Sequence, residues 1–448
     1  MGHHWPMARG GAVDDTRRMQ VWPLVLPGTL AAAIALTVGR PLSDWPLASA
    51  GGHYLLSGHL TVYADMAYVQ MGPLSLVLAG ALPGSIYLAA VCALLPLILW
   101  TAMLPYPPTR QTYLATLFGG LLLAWPWAAF AVQGHGDDAL VVVGIVAMVS
   151  ALKLHRGVWV VAAFLVALAS KPTAILFLPL VFLRSRRAGI VATLAGGLLW
   201  APFVLADVPG FLAAGRGQGD LWPYSLPDLL GGVPHTGFPE WLRLVQLIGG
   251  VAMCWFLARR RGPAAAVAGV FAFRVLLEPG TSNYYSTSVI AAAILLDLHR
   301  GQRVPWATIL GFVSFVATFG EPPITLVGGF VRILSLTAVL ALAFAPRQRS
   351  NLTSDRRAMT GSGAERPRAP SGPGGPGHGN ERPPELRDGY VVRQPHLSWR
   401  PTGLVERCCS PFLGGAGLRV KLGRADGSQE IREPGPLARD SDGCQQDE

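Results

Sequence analysis

The chain has 448 residues, of which 51% are hydrophobic and only 14% charged, with a net charge of +10 at neutral pH. Soluble domains carry about 25% charged residues, so a soluble, disordered or disulfide-scaffold protein is excluded and an all-α, polytopic membrane protein is predicted. The positive charge does not argue for nucleic acid as a partner, because it falls in short clusters between apolar runs. The five cysteines, Cys92, Cys254, Cys408, Cys409 and Cys444, have neither metal-site spacing nor a disulfide framework.

Residues 1–20 are polar and carry Arg9, Arg17 and Arg18 ahead of the first apolar run, Val21 to Gly39. No small-residue cleavage site follows that run, which predicts a retained first helix. Further runs lie near 84–104, 112–131, 138–152, 157–169, 172–183, 188–205, 241–258, 263–277, 287–298, 304–319 and 324–344, about twelve helices in all. Two outer segments separate them, roughly 40–83 and 206–240. The first holds an apolar piece, Met71 to Leu82, too short to span and expected to lie along the interface. The second carries interfacial aromatics such as Trp222, Tyr224 and Trp241. The membrane part therefore covers 21–345. Residues 346–448 turn abruptly to Arg, Pro, Gly and Ser, which predicts a disordered cytoplasmic tail, or a stretch read in a shifted frame.

The basic clusters test this division. Arg17/Arg18, Arg110, Lys153/Arg156, Arg184/Arg186/Arg187, Arg259/Arg260/Arg261, Arg300/Arg303 and Arg347/Arg349 follow every second run, so all fall on one side, the cytoplasmic one by the positive-inside rule. This requires 157–183 to be two short helices broken at Ser170-Lys171-Pro172 rather than one long helix, with Lys171 near the outer face. Interrupted helices of this kind line cavities in membrane proteins. There is no internal repeat.

Charges left on the outer side are few, and each is costly at membrane depth. They are Arg40, Asp44, Asp65, Asp137, Asp138, Lys171, Asp207, Arg216, Asp220, Asp228, Glu240, Arg243, Arg274, Glu278 and Glu321. Asp44, just past the first helix, is placed to take a proton from a hydroxyl. With Ser43, Trp45 and Pro46 beside it, it equally suits an ordinary turn or helix cap. Asp65 is its rival in the same segment. At Lys171 the Ser170 N-cap and Pro172 signal a helix start whose amides, with the lysine, favour a phosphate; a snorkelling lysine is the plainer alternative. His135, Asp137 and Asp138 in "QGHGDDALVV" combine metal-ligand types, although Asp at a helix start is also the usual cap. In "FRVLLEPGTSNYYSTS" Arg274 suits a phosphate and Tyr284 with Tyr285 a sugar or lipid head group, while Arg274 and Glu278 one turn apart also suit a simple ion pair. Arg332, mid-way along the last run, needs a partner or a wet cavity.

These segments, "D…GGHYLLSG…VYADM…GPLSLVL", "GHGDDALVVVGIVAMVSALKLHRG", "ALASKPTAILFLPLVFLRSRR" and "EPGTSNYY", resemble the polyprenol-phosphate-dependent glycosyltransferases of the GT-C class, in particular the bacterial alpha-mannosyltransferase-like family 87, over residues 20–345. The resemblance implies Asp44 as the base and Lys171 as a phosphate contact. It sets Gly134 to Asp138 at the family's Gln-and-Asn segment and Gly72-Pro73-Leu74 at its interfacial element. "GHGDD" departs from that segment, and Asn283 with two tyrosines stands where many members have His. The resemblance also implies a mannose- or arabinose-like sugar carried on polyprenyl phosphate and a glycolipid or cell-envelope glycan as acceptor. Transfer would occur with inversion on the outer face of the bacterial cytoplasmic membrane. Arg274, Asp65, His135, Asp138, Tyr284 and Tyr285 join Lys171 as substrate contacts. Because a lipid phosphate leaves, no cofactor is expected and no nucleotide-binding loop is needed; no obligatory metal is expected either. The alternative is a transporter or flippase of a lipid-linked or polar substrate, using the same charges as a path.

Overall fold

Each of the twelve apolar runs is helical in the computed structural model, which describes residues 22–38, 44–66, 69–215, 223–231, 240–280, 284–318 and 325–346. These lie within one unit, Met1–Ala364; a second, Glu365–Glu448, falls outside the described residues, as does the tail expected beyond 346. No strand occurs among the described residues.

The first run forms α1 (Trp22–Val38). The outer segment 40–83 holds more structure than the single interfacial helix expected of it. It contains α2 (Asp44–Leu56), α3 (Val62–Asp65) and α4 (Pro73–Ala81). The reason is close packing of small residues: a Cβ on Gly52 would lie 2.2 Å from the Leu76 carbonyl oxygen and 2.4 Å from the Gly80 nitrogen. Backbone thus meets backbone between α2 and α4, an approach only glycine permits. The chain continues through α5 (Gly84–Met103), α6 (Arg110–Gln133), α7 (Gly136–Lys153) and α8 (Gly157–Ser170). A 3-10 turn (Pro172–Phe177) leads into α9 (Leu178–Arg184), followed by α10 (Arg186–Ala206). α11 (Val208–Gly215) and α12 (Leu226–Leu229) belong to the second outer segment. The bundle closes with α13 (Glu240–Arg260), α14 (Pro263–Leu276), α15 (Tyr285–Arg300), α16 (Trp306–Ala317) and α17 (Leu326–Phe344).

Among the described residues five helices are long and apolar enough to cross a membrane: Gly84–Met103, Arg110–Gln133, Arg186–Ala206, Trp241–Arg260 and Leu326–Phe344. α10 shows why a bilayer is the natural surrounding. Ile190, Val191, Leu194, Leu198 and Leu205 are all more than half exposed along it, a patch that water would not tolerate. At the centre the pattern reverses, since α14 and α15 are buried along almost every turn and pack against each other and against α7. A helix apolar all round is one with neighbours all round.

The break at Lys171 is present. α8 stops at Ser170, and Lys171 is extended (φ −157°, ψ 133°) ahead of Pro172, because proline excludes the helical region for the residue before it. Ser170 does not cap the next helix as expected; it is the last residue of α8, and its hydroxyl donates back to the Val166 carbonyl at 2.7 Å. The break returns the chain to the side it came from. Arg184 Nη2 donates to the His155 carbonyl at 3.2 Å, so the 153–156 and 184–187 clusters share one end.

Other clusters join them there. Gln111 Nε2 donates to the Gly301 carbonyl at 3.1 Å, Lys153 Nζ to His299 Nδ1 at 3.3 Å, and His299 Nε2 to the Arg261 carbonyl at 3.2 Å. Arg300 Nη2 reaches the Ala345 carbonyl at 3.0 Å. The basic residues thus gather at one end of the bundle by direct contact.

Gly52→Val should lower the melting temperature of the detergent-solubilised protein, with a cost of about 1–3 kcal/mol for forcing α2 from α4. Gly197→Val on α10, where a Cβ meets open space, is the matched control and should leave it nearly unchanged.

Candidate functional site

At the other end, α6 turns into α7 through Gly134, which adopts a left-handed conformation (φ +85°). A Cβ there would sit 2.8 Å from the Trp45 nitrogen. The first turn of α2 is therefore pressed against the α6–α7 junction, and this places Asp44 beside His135. Asp44 opens α2 rather than lying in a loop, and its Oδ2 is 3.0 Å from His135 Nε2. The Asp44 side chain is 42% exposed, that of His135 only 10%.

His135 is the N-cap residue of α7 but makes no capping bond. Its ring instead stacks on Tyr284 (centroids 3.8 Å apart, planes at 22°), and Tyr284 leans on Tyr285 at 4.3 Å. His135 Nδ1 lies 3.9 Å from Asp137 Oδ1 and 3.8 Å from Asp138 Oδ2, too far for hydrogen bonds but close enough for charge to be felt. Asp137 and Asp138 stand in the first turn of α7, where the helix dipole favours carboxylates. Both are buried, and both point at Lys171, whose Nζ is 2.8 Å from Asp137 Oδ2 and 2.7 Å from Asp138 Oδ2. The extended backbone at the break is what sends this side chain across to α7. Lys171 is therefore the buried counter-ion of two aspartates, not the isolated cation at a helix start that the sequence led us to expect.

Among the described residues His135, Asp137 and Asp138 form the compact set of metal-type donors, within 4.8 Å of one another. Lys171 Nζ supplies positive charge to the two carboxylates there.

Lys171 also lines a cavity of about 300 Å³. Two more cations, Arg243 and Arg274, open onto it, with Gln70 and Thr173 and the aromatic faces of Tyr63, Trp200, Phe211 and Tyr285. One carboxylate, Glu278, faces this space. Its Oε2 is buried and hydrogen-bonds to nothing in the protein, with Arg274 Nη2 3.9 Å away. The one-turn Arg274–Glu278 pair is thus a loose one. Arg332 solves its burial differently, donating through Nη2 to the carbonyls of Val275 at 3.0 Å and Gly280 at 3.4 Å, where the exposed carbonyls ending α14 favour a cation.

Of the residues predicted from sequence, the structure brings together Asp44, His135, Asp138, Lys171, Tyr284, Tyr285 and Arg274. Asp65 stays apart and closes its own turn, accepting from Thr61 Oγ1 at 2.5 Å and Tyr54 Oη at 2.7 Å. The Thr61 bond, then the Tyr54 bond, hold its carboxyl below the ordinary value. Arg243 and Glu278 carried only the signal of a charge near an apolar helix, and nothing in the spacing joined them to Lys171. Tyr63 and Trp200 carried no signal, since aromatics at such positions fill cores.

Fold and site define an all-helical protein with membrane-spanning-type helices and a polar, cation-lined cavity at one end. Comparison with protein-family models, curated proteins and solved structures returned no match.

Lys171→Met strands two buried carboxylates and should cost about 3–5 kcal/mol, read as a fall in thermal stability; adding Asp137→Asn and Asp138→Asn should recover much of that loss. Asp65→Asn tests the turn. The native group's contribution is present above the ordinary carboxyl value of 3.8 and is lost as pH falls through its lower folded value. The melting-temperature gap between wild type and variant should therefore be full at neutral pH and close in acid.

Proposed function

We propose that the protein is an integral-membrane glycosyltransferase that moves a sugar from a polyprenyl-phosphate donor to a glycolipid or envelope glycan. One observation carries the reading: a single cavity is lined by Lys171, Arg243 and Arg274, by four aromatic side chains and by Glu278. Guanidinium and ammonium groups hold a phosphate, aromatic faces take a sugar ring, and inverting transfer needs one carboxylate to remove a proton.

In this reading Asp44, which stands outside that wall and adjoins it through His135, Asp138 and Lys171, takes the acceptor hydroxyl proton as that oxygen attacks the anomeric carbon. The bond from that carbon to the phosphate oxygen breaks, and the cations meet the charge that develops on the departing polyprenyl phosphate. His135 orients Asp44, and Glu278 holds Arg274 in the cavity wall. The gathering of basic clusters at the far end supports twelve crossings of GT-C type, with that end cytoplasmic and the cavity outside. The resemblance of residues 20–345 to family 87 supports the same assignment.

A transporter or flippase is the second reading. It is favoured by the row of ionisable groups from half-exposed Asp44 through His135 and Asp138 to buried Lys171, since such groups inside membrane proteins mark substrate and ion paths.

Full-length purified protein given a panel of polyprenyl-phosphate sugars and envelope-lipid acceptor should release polyprenyl phosphate. Asp44→Asn should slow release by about 10²–10⁴-fold. If Glu278→Gln abolishes turnover and Asp44→Asn does not, Glu278 is the base. Donor binding without release by the wild type would overturn the transferase in favour of transport.

A further inference from the structure

The basic end of the bundle holds a second cavity, of about 250 Å³, between the C-terminal ends of α13, α15 and α17. Arg260, Arg261, His299 and Arg300 line it, and the small side chains of Ala265, Ala343 and Ala345 leave the space open. Among the described residues no carboxylate is in its wall. The acid on the same helix, Asp297, is near enough to Arg300 for charge to be felt, but its hydrogen bonds go elsewhere. It accepts from Thr308 N at 2.8 Å, Thr308 Oγ1 at 2.7 Å and Ala307 N at 3.3 Å, and so caps α16.

Two of the wall residues are already fixed in place. Arg300 donates through Nη2 to the carbonyls of Leu342 and Ala345, and these bonds do not use its Nη1 and Nε donors. His299 is held on both sides. Lys153 can only donate, so Nδ1 accepts from it and Nε2–H is the donor to the Arg261 carbonyl. The Lys153 ammonium thus stands behind the ring. Arg259, the neighbour that does not line the cavity, is turned away onto the Trp255 ring at 4.0 Å. The result is a preformed concavity with three guanidinium groups, a geometry that suits the oxygens of a phosphate.

The surface beside it adds a second feature. Phe256, one turn before Arg260, and Phe344, between the two lining alanines of the α17 end, pack on each other with centroids 5.9 Å apart. They remain 49% and 38% exposed. Both rings end helices long and apolar enough to cross a membrane, which sets the cavity beside lipid, and the chains of a phospholipid whose head group entered it would cover them.

We propose that this cavity binds a phosphate group, and that its source is an anionic phospholipid with its head group among Arg260, Arg261 and Arg300 and its chains over Phe256 and Phe344. The site is separate from the outer cavity and does not depend on the glycosyltransferase reading.

The test uses the full chain purified in detergent, with native mass spectrometry of dioleoylphosphatidylglycerol against dioleoylphosphatidylcholine. Wild type should retain the anionic lipid preferentially. Arg260→Gln with Arg261→Gln should reduce that preference roughly tenfold. Arg186→Gln with Arg187→Gln removes the same charge from the same end outside the cavity and should leave the preference intact. An equal loss in both double variants means diffuse attraction and overturns the site. If wild type shows no preference, inorganic phosphate decides. Thermal stabilisation by phosphate that disappears in the Arg260/Arg261 variant keeps the phosphate site and assigns it a soluble ligand; no stabilisation overturns the proposal.

Discussion

The ammonium of Lys171 between the carboxylates of Asp137 and Asp138 is the contact around which the end of the bundle away from the basic clusters is arranged. A lone charge at membrane depth costs about 2.5–3.5 kcal/mol on insertion scales, and here three buried charges answer one another at 2.7–2.8 Å. The arrangement needs two local decisions. Pro172 forces Lys171 out of the helix and aims it across the bundle, while Gly134 turns α6 into α7 so that both aspartates occupy the first helical turn. Neither alone makes a site. Together they bind the α8 break to the start of α7, and this junction carries His135, Asp44 and the tyrosine pair on one side and the cavity on the other.

The same break governs the opposite end. Because α8 and the Pro172–Arg184 segment are two short elements, the chain returns to where it started, and Arg184 meets the His155 carbonyl. The bond between the 153–156 and 184–187 clusters depends on that return. The molecule thus separates its charges by position: the described basic clusters congregate at one end, an interlocked acid–base group occupies the other, and the length between them is apolar. The two cavities differ accordingly. The one beside Lys171 mixes cations with aromatics and with Glu278, whose only ion pair, to Arg274, is loose at 3.9 Å. The other gathers three arginines and His299 among small apolar side chains.

What could be read in the residues was whatever depended on local chemistry and period. The apolar runs, the break before Pro172, the single-sided placement of the basic clusters and the concentration of polar residues at 133–138, 171 and 274–285 are all visible in the order of residues. Hydrophobic length, proline and charge act through neighbours in the chain. Asp44 was singled out because it follows the first helix, and its pairing with His135 was not, since the two stand 91 positions apart in the sequence.

Only the tertiary structure decided which charges meet. Lys171 reads as a free cation until α7 is folded against the break, and Asp65 reads as an equal of Asp44 until Tyr54 and Thr61 are seen to hold it. Arg243, Glu278, Tyr63 and Trp200 became a cavity wall because four separate elements converge there. Segment 40–83 became a packed group of helices because Gly52 and Gly80 allow backbones to touch. A side chain's neighbours along the chain set its helix. Its partners across space are set by packing, in which close approach and the demand that each buried charge find an opposite one select a single arrangement from many that the sequence pattern allows.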